Sequence, residues 1–163
     1  MHNHEPRGYN CPFCRIAGGI YDEHVYSSEN DVVYRDRDVT AFIGSHQWPN
    51  NPGNTIVIPN EHFENLYDLP GRLAQPLHET LQALALAMKA AFGCQGVSTR
   101  QHNEPAGNQD VWHYHIHLTP RYTEDNFYET FGKRAVMPAE ERGRYAACLR
   151  DALGSWLRTI ELD

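Results

Sequence analysis

A chain of 163 residues and 18.7 kDa, with 40% hydrophobic and 21% charged residues, has the size and composition of one globular domain with a single core. Its formal net charge of -7 argues against a uniformly basic nucleic-acid-binding protein, so an anionic ligand would have to be recognised locally. No apolar run approaches the ~18 residues that span a bilayer, and the polar N-terminus lacks the apolar centre of a signal peptide. We therefore expect a cytoplasmic protein with neither a membrane nor a nucleic acid among its partners.

The first half of the chain is predicted to consist mainly of strands. Residues 1–9 are predicted to form a flexible N-terminal tail, and residues 10–163 a single domain. The segment CPFCRIAGG predicts a turn into a short helix that ends at Gly18-Gly19. The predicted strands that follow lie at roughly 24–28, 31–35 and 38–43, and a loop over SHQWPNNPG separates them from a buried strand over NTIVIP.

The second half is predicted to contain two helices and two strands. Apolar residues at helical spacing within 71–92 predict a long amphipathic helix, with Gly93 as its stop. GVSTRQHN and WHYHIHLTP are predicted strands, YTEDNFYETFGKRAVM is a predicted loop, and a C-terminal helix is predicted to begin near Pro138. Runs of strands around one long central helix favour an α+β domain with an antiparallel β-sheet.

The close pair Cys11 and Cys14 indicates metal or redox chemistry. A structural disulfide is not expected in a reducing compartment, and Cys-x-x-Cys spacing lets two thiolates bind one zinc ion. The alternative is that both are ordinary buried or redox cysteines. Cys94 and Cys148 fall on or beside predicted helices, and we expect them to be packing residues.

Three histidines alternate along WHYHIHL, namely His113, His115 and His117. Residues at i, i+2 and i+4 of a strand share a face, and successive imidazoles would start about 6–7 Å apart. The outer pair is then too far apart for one metal ion to hold all three rings directly. The simplest alternative is a row of polar residues on the wet face of a sheet. A cluster of imidazoles is, however, well suited to phosphoryl or nucleotidyl transfer.

WHYHIHLTPRY resembles the motif of the histidine triad (HIT) family. CPFCRIAGG, NTIVIPNEHFENLYDL and NEPAGNQDVWH are similar to other segments of its zinc-containing bacterial-type branch, so the resemblance covers roughly residues 11–122. It implies a HIT-like fold, a homodimer, and hydrolysis or nucleotidyl transfer at the α-phosphate of a nucleotide or nucleotide-conjugate substrate. It also implies a nucleotidyl-histidine intermediate.

The resemblance assigns expected roles to particular residues. His115 would be the nucleophile, His117 would bond phosphate oxygens, and Gln109 would lie near the leaving group or the phosphate. A structural zinc ion would be held by Cys11, Cys14, His62 and His113. Candidate substrate-binding residues, taken from the resemblance or from their place beside the triad, are Asn103, Asn54, Phe42, Arg100, His102 and Trp48.

The chain departs from the family pattern at three positions that bear on substrate. Gly44 stands where many members have an Asp for the ribose, so Trp48 and His46 become candidates for contacting the ligand. Asp110 stands where Ser or Thr is usual, and a carboxylate near a phosphate is repulsive unless it is paired or turned away. Asn54 replaces a His found in some members.

Two other functions remain open at this level. The first is a zinc-stabilised nucleotide-binding protein with little turnover that serves sensing or partner binding. The departures from the family pattern at Gly44 and Asp110 favour this alternative. The second is metal handling by the histidines, without any phosphate.

Overall fold

The computed structural model describes residues 2–160, with side chains described as far as residue 154, so the last three residues of the predicted domain lie outside it. The strands of this part are β1 (Val32–Arg35), β2 (Val39–Ile43), β3 (His46–Gln47), β4 (Thr55–Pro59), β5 (Gly96–Gln101), β6 (Ile116–Arg121) and β7 (Ala135–Val136). Its α-helices are α1 (Pro12–Ala17), α2 (Ala74–Phe92) and α3 (Ala139–Ile160). None of the helices described here is both long and apolar enough to cross a membrane.

Five strands form one antiparallel sheet in the order β1-β2-β4-β6-β5. β2 and β4 lie inside it and are buried at every position, which suits their β-branched and apolar sequences VTAFI and TIVIP. Ala41 pairs with Val57, and Phe42 pairs with Ile56. The predicted α+β architecture is confirmed, with α2 as the long central helix and α3 as the C-terminal helix.

Different helices cover the two faces of the sheet. Ala41 and Val57 belong to the main core, to which α2 and α3 contribute Leu84, Met88 and Leu149. Successive strand residues point to opposite faces, so their neighbours form a second, smaller cluster with α1. The buried residues of that cluster are Cys11, Phe13, Ile16, Phe42, Ile56 and Ile58. The Cys-x-x-Cys segment therefore lies on the face opposite α2 and α3.

Two predicted strands differ in the structure. The predicted strand at 24–28 is irregular, because a capping box between Ser28 and Asp31 starts a short 3-10 helix over Glu29–Asp31 instead. The strand predicted over WHYHIHLTP begins only at Ile116. The Tyr114 N–H donates to the Phe63 carbonyl at 2.5 Å, outside the sheet ladder.

The predicted loops contain a second, very short sheet. β3 lies in the predicted loop SHQWPNNPG and β7 in the predicted loop after β6, and the two pair antiparallel with His46 opposite Val136. α2 begins at Ala74, after a 3-10 turn over Gly71–Leu73. It ends as predicted at Gly93, whose positive φ of 62° directs its N–H to the Lys89 carbonyl.

The segment after β6 is folded around the buried carboxylate of Asp125. Arg121 donates to both of its oxygens, at 2.7 and 2.9 Å, and the Asn51 amide donates to one of them at 2.7 Å. The backbone N–H groups of Tyr122 and Phe127 donate to the same carboxylate, each at 3.0 Å. The hydrogen bonds from Arg121 hold the pKa of Asp125 well below its usual value. One ionised side chain thus fixes the start of this segment.

Replacing this carboxylate should destabilise the protein in a pH-dependent way. We expect Asp125→Asn to lower the free energy of unfolding at pH 7 by roughly 3 kcal/mol, because Arg121 loses its partner. A carboxyl group whose pKa is lowered by folding contributes stability above its unfolded-state pKa of about 4, and this contribution is lost progressively as the pH falls below that value. Urea unfolding at pH 7 and pH 3 measures the effect. The difference in free energy of unfolding between the protein and the variant should be smaller at pH 3 than at pH 7. Glu129→Gln, at an exposed position of the same segment, is the control.

Candidate active site and metal centre

Four side chains from distant parts of the chain meet on the α1 face of the sheet. Cys11 and Cys14 open α1, His62 follows β4, and His113 precedes β6. Their ligand atoms all lie within 4.8 Å of one another. The Sγ of Cys11 is 3.3 Å from Nδ1 of His113, and the Sγ of Cys14 is 3.2 Å from Nδ1 of His62. The group predicted from the sequence is therefore assembled.

This donor set fits zinc. With Zn–S near 2.3 Å and Zn–N near 2.1 Å, the S···N edge of a tetrahedral site is about 3.5 Å, close to the spacing found here. Hydrogen bonds with the Cys14 thiol and with His113 lower the pKa of the Cys11 thiol. Cys11, Cys14, His62 and His113 thus form a group that could bind zinc.

His113 also connects this group to the second histidine of the triad. Its ring Nε2 donates to the Pro59 carbonyl at 3.0 Å, and its own carbonyl accepts from Nδ1 of His115 at 2.7 Å. The proton of His115 is therefore on Nδ1, which leaves a lone pair on Nε2. Burial lowers the pKa of His115 and so favours this neutral form.

His117 is oriented by a different partner. The Asn54 amide nitrogen lies 3.5 Å from Nδ1 of His117, and the Thr119 hydroxyl donates to the amide oxygen of Asn54 at 3.1 Å. This arrangement places the ring proton of His117 on Nε2 as a donor. Burial is the main cause that lowers the pKa of His117 well below its usual value. The centroids of the two rings are 5.1 Å apart.

Both rings line a cavity of about 250 Å³ on the α1 face. Four of the ligand-contact candidates from the sequence also line the cavity, namely Phe42, His46, Trp48 and Asn54. The other described residues that line it are Pro12, Phe13, Ile16, His24, Tyr26, Ser27, Ser45, Ile56, Asp110, Val111 and Arg134.

Three other candidates lie outside the described lining and hold the neighbouring loop. The Gln109 amide accepts from the Glu104 N–H at 2.7 Å and donates to the Glu64 carbonyl at 2.7 Å. The side-chain amide oxygen of Asn103 accepts from the backbone N–H of Leu66 at 2.8 Å. His102 pairs its Nδ1 with the Gly107 carbonyl at 2.6 Å.

Arg100 lies behind the cavity, against aromatic rings. Its guanidinium carbon is 4.9, 4.7 and 4.5 Å from the ring centroids of Trp48, Phe127 and Phe131. Trp48 stacks on Phe131 at 5.6 Å and donates its indole N–H to the Phe131 carbonyl at 2.8 Å. One face of Trp48 is therefore already occupied by the segment that Asp125 organises. Burial lowers the pKa of Arg100, and its charge is one cause of the lowered pKa of His117.

An ion pair lies at the cavity between Asp110 and Arg134, with an N···O distance of 3.0 Å and about half of each side chain exposed. The sequence predicts that Asp110 repels a phosphate unless its carboxylate is paired, and Arg134 is its partner in the structure. Arg134 was missed, because it lies in a segment without periodicity and 24 residues away along the chain. An arginine that is distant in sequence and meets the site only in the folded chain cannot be recognised from the local sequence pattern.

Gly44 and Asn54 are sterically coupled. A Cβ at position 44 would lie 3.0 Å from the Asn54 amide nitrogen and 3.1 Å from Cδ1 of Ile56. A side chain at position 44 would therefore press on both Asn54 and Ile56. Tyr26 and His24, which line the cavity in the irregular segment predicted as a strand, were not expected either.

Comparisons with known proteins agree with this geometry. The HIT domain family matches residues 26–124. "Protein hit" of Bacillus subtilis is 35% identical over 113 residues, 69% of this chain and 72% of that protein. An adenylylsulfatase of Arabidopsis thaliana is 23% identical over 148 residues, 90% of this chain and 71% of that protein.

A solved structure of a Zn-bound histidine triad family protein from Mycobacterium smegmatis superposes with a TM-score of 0.72. It is 26% identical, and the match covers 92% of this chain and 97% of that one. The match of the family over most of the chain, together with the triad and the Cys2His2 group, shows that the chain belongs to the histidine triad family.

Proposed function

We propose that the protein is a nucleotide phosphohydrolase or nucleotidyl transferase that acts at an α-phosphate through a nucleotidyl-histidine on His115. The observation that carries this proposal is the hydrogen bond from Nδ1 of His115 to the His113 carbonyl, beside a cavity of about 250 Å³. It leaves Nε2 as the free, neutral nucleophile of a ring with little freedom to rotate. The Arabidopsis relative is named an adenylylsulfatase, and hydrolytic release of an adenylyl group belongs to the same reaction class.

The reaction proceeds in two displacements. Nε2 of His115 attacks the α-phosphorus, an N–P bond forms, and the bond from phosphorus to the leaving group breaks with its electron pair going to the leaving group. Water or another acceptor then attacks phosphorus, the N–P bond breaks, and neutral His115 is restored as the acceptor loses its proton. His117, whose Nε2 carries a proton, donates a hydrogen bond to a phosphate oxygen in both steps.

The other candidates take supporting roles in this proposal. Phe42 and Trp48 give the cavity apolar walls for a base or sugar, and Asn54 orients His117. Arg100 places a positive charge close to His117. Gln109, Asn103 and His102 hold the loop that precedes the triad.

Zinc would be structural here, because four protein ligands leave no open position for a substrate. Its two thiolate ligands suit a reducing cytoplasm, which we propose as the location. We also propose a homodimer. The outer edge of β5, which no described strand pairs, is a surface through which two copies can join their sheets.

The proposal is tested most directly at the nucleophile. We expect His115→Ala to reduce turnover of adenosine phosphoramidates and dinucleoside polyphosphates by about 10³-fold or more, because the covalent route is lost. Intact-protein mass spectrometry of early-quenched mixtures should show a nucleotide-sized gain only in the protein with His115. The exposed His78 on α2 provides a matched His78→Ala control. If the unmutated protein binds nucleotide but gives neither adduct nor product, the zinc-stabilised binding protein is the better description.

Metal removal should separate structure from chemistry. We expect Cys11→Ser to lose the bound zinc and to lower the unfolding temperature, while Cys148→Ser, at an exposed position of α3, keeps both. Elemental analysis of the purified proteins and thermal unfolding measure the two effects. Zinc retained at full occupancy in Cys11→Ser would refute the assignment of this ligand.

The ion pair at the cavity should affect ligand affinity. We expect Arg134→Gln to raise KM for a nucleotide substrate about fivefold, because it leaves the Asp110 carboxylate unpaired near an anion, and to change the unfolding temperature little. Asp110→Asn should lower KM, and the double variant should return it towards the starting value. Equal KM values in all four proteins would show that the pair lies outside the ligand's reach.

A further inference from the structure

The two histidines of the metal group are held in matching ways. Each turns Nδ1 towards a cysteine sulfur, so Nδ1 is the atom that would bind the metal. In each ring, Nε2 forms a hydrogen bond with an oxygen atom. His113 donates to the Pro59 carbonyl at 3.0 Å, and His62 pairs with the Glu5 carboxylate at 2.9 Å. An oxygen on the far nitrogen fixes the tautomer and orientation of a metal-binding imidazole, and a carboxylate also raises its basicity.

Glu5 belongs to the segment that the sequence predicts to be a flexible tail. In the structure this segment is tied down by Glu64, whose side chain is only 1% exposed. Its two carboxylate oxygens accept the backbone N–H groups of His4, at 2.5 Å, and Glu5, at 3.1 Å. The neighbouring Asn65 amide donates to the His2 carbonyl at 3.0 Å.

Two contacts with Trp112 continue the attachment towards the triad. The His4 ring stacks on the Trp112 ring with a centroid distance of 5.9 Å. The backbone N–H of Trp112 donates to the Tyr9 hydroxyl at 3.3 Å. Residues 2–9 are thus attached at both ends of the segment, with Glu5 between the attachments. We refer to residues 2–9 as the N-terminal strap.

We propose that Glu5 is a positioning residue of the metal centre, and that the N-terminal strap, anchored by the buried Glu64, places its carboxylate on His62. This adds a fifth side chain to the four expected ligands, from a segment that the resemblance does not cover. Glu5 acts through His62 and does not touch the metal.

The position of His62 explains why support is needed there. His113 is fully buried, whereas the side chain of His62 is 33% exposed and that of Glu5 is 40% exposed. His62 is therefore the ligand that water and a competing chelator reach most easily. A carboxylate on its outer nitrogen keeps the ring turned towards the thiolates, so the strap slows the loss of metal at the most accessible ligand.

The first test measures zinc affinity and the rate of zinc release to a chromophoric chelator at fixed pH. We expect Glu5→Ala to raise the Kd for zinc by about 10- to 100-fold, and to speed release correspondingly, because supporting carboxylates have effects of that size. Glu5→Gln keeps an acceptor oxygen without the charge, so it should recover part of the loss. Glu79→Gln and Glu79→Ala, at an exposed site on α2, are the matched controls.

The second test separates the carboxylate from its anchor. Glu64→Gln places an amide against the strap's N–H groups, and we expect it to weaken zinc binding even though Glu5 is intact. The double variant, Glu5→Ala with Glu64→Gln, should bind zinc as tightly as the single variant with the lower zinc affinity, because both substitutions act through the same contact. If Glu64→Gln does not fold, Asn65→Ala loosens the strap at its hydrogen bond to His2 instead.

Three results would overturn the proposal. The first is a zinc Kd and release rate for Glu5→Ala within about twofold of the Glu79 controls, which is smaller than the effect expected of a supporting carboxylate. The second is Glu5→Gln binding zinc more weakly than Glu5→Ala. The third is full additivity of the Glu5 and Glu64 substitutions, which would show that the strap does not act by placing Glu5. All the readouts concern the metal, so they stand whether or not His115 forms a nucleotidyl adduct.

Discussion

The hydrogen bond between the His113 carbonyl and Nδ1 of His115 joins the metal group to the histidines of the cavity. Through its ring His113 belongs to the metal group, and through its carbonyl it holds Nδ1 of His115. The backbone there lies outside the sheet ladder, since Tyr114 bonds to Phe63 and β6 begins only at Ile116. A regular strand would point three rings along one face at even spacing. The irregular start lets His113 turn to the cysteines while His115 and His117 line the cavity.

The electrostatics of the cavity resolve an apparent conflict between an acidic chain and an anionic ligand. The formal charge of -7 belongs to the whole molecule, whereas the carboxylates near the site are paired. Asp110 pairs with Arg134 at the cavity, and Asp125 pairs with Arg121 in the segment behind it. Arg100 places a further positive charge against aromatic rings close to His117. Local pairing thus counts for more at the site than the net charge does.

The sequence predicts what depends on local pattern. The buried strands β2 and β4 and the helix α2 with its stop at Gly93 could be predicted, because apolar periodicity and glycine conformation are local. The Cys2His2 group could be predicted because the resemblance to the histidine triad family implied its two histidines. The fold of the segment after β6 could not be, since it depends on Asp125 meeting Asn51 from 74 residues away. Glu64 is a similar case, because a carboxylate that is buried by receiving backbone N–H groups looks, in sequence, like any surface glutamate.

The contact between positions 44 and 54 limits how this site can change by single substitutions. Any side chain at Gly44 would press on the amide that orients His117, so such a change is costly while Asn54 is present. A smaller residue at position 54 makes room, but by itself it removes the partner of His117. A side chain at position 44 therefore has to be matched by a shift or a replacement at its neighbours, Asn54 and Ile56. Substitutions at these touching positions should be non-additive in their effect on stability, so the consequence of a change at one depends on the residue at the other.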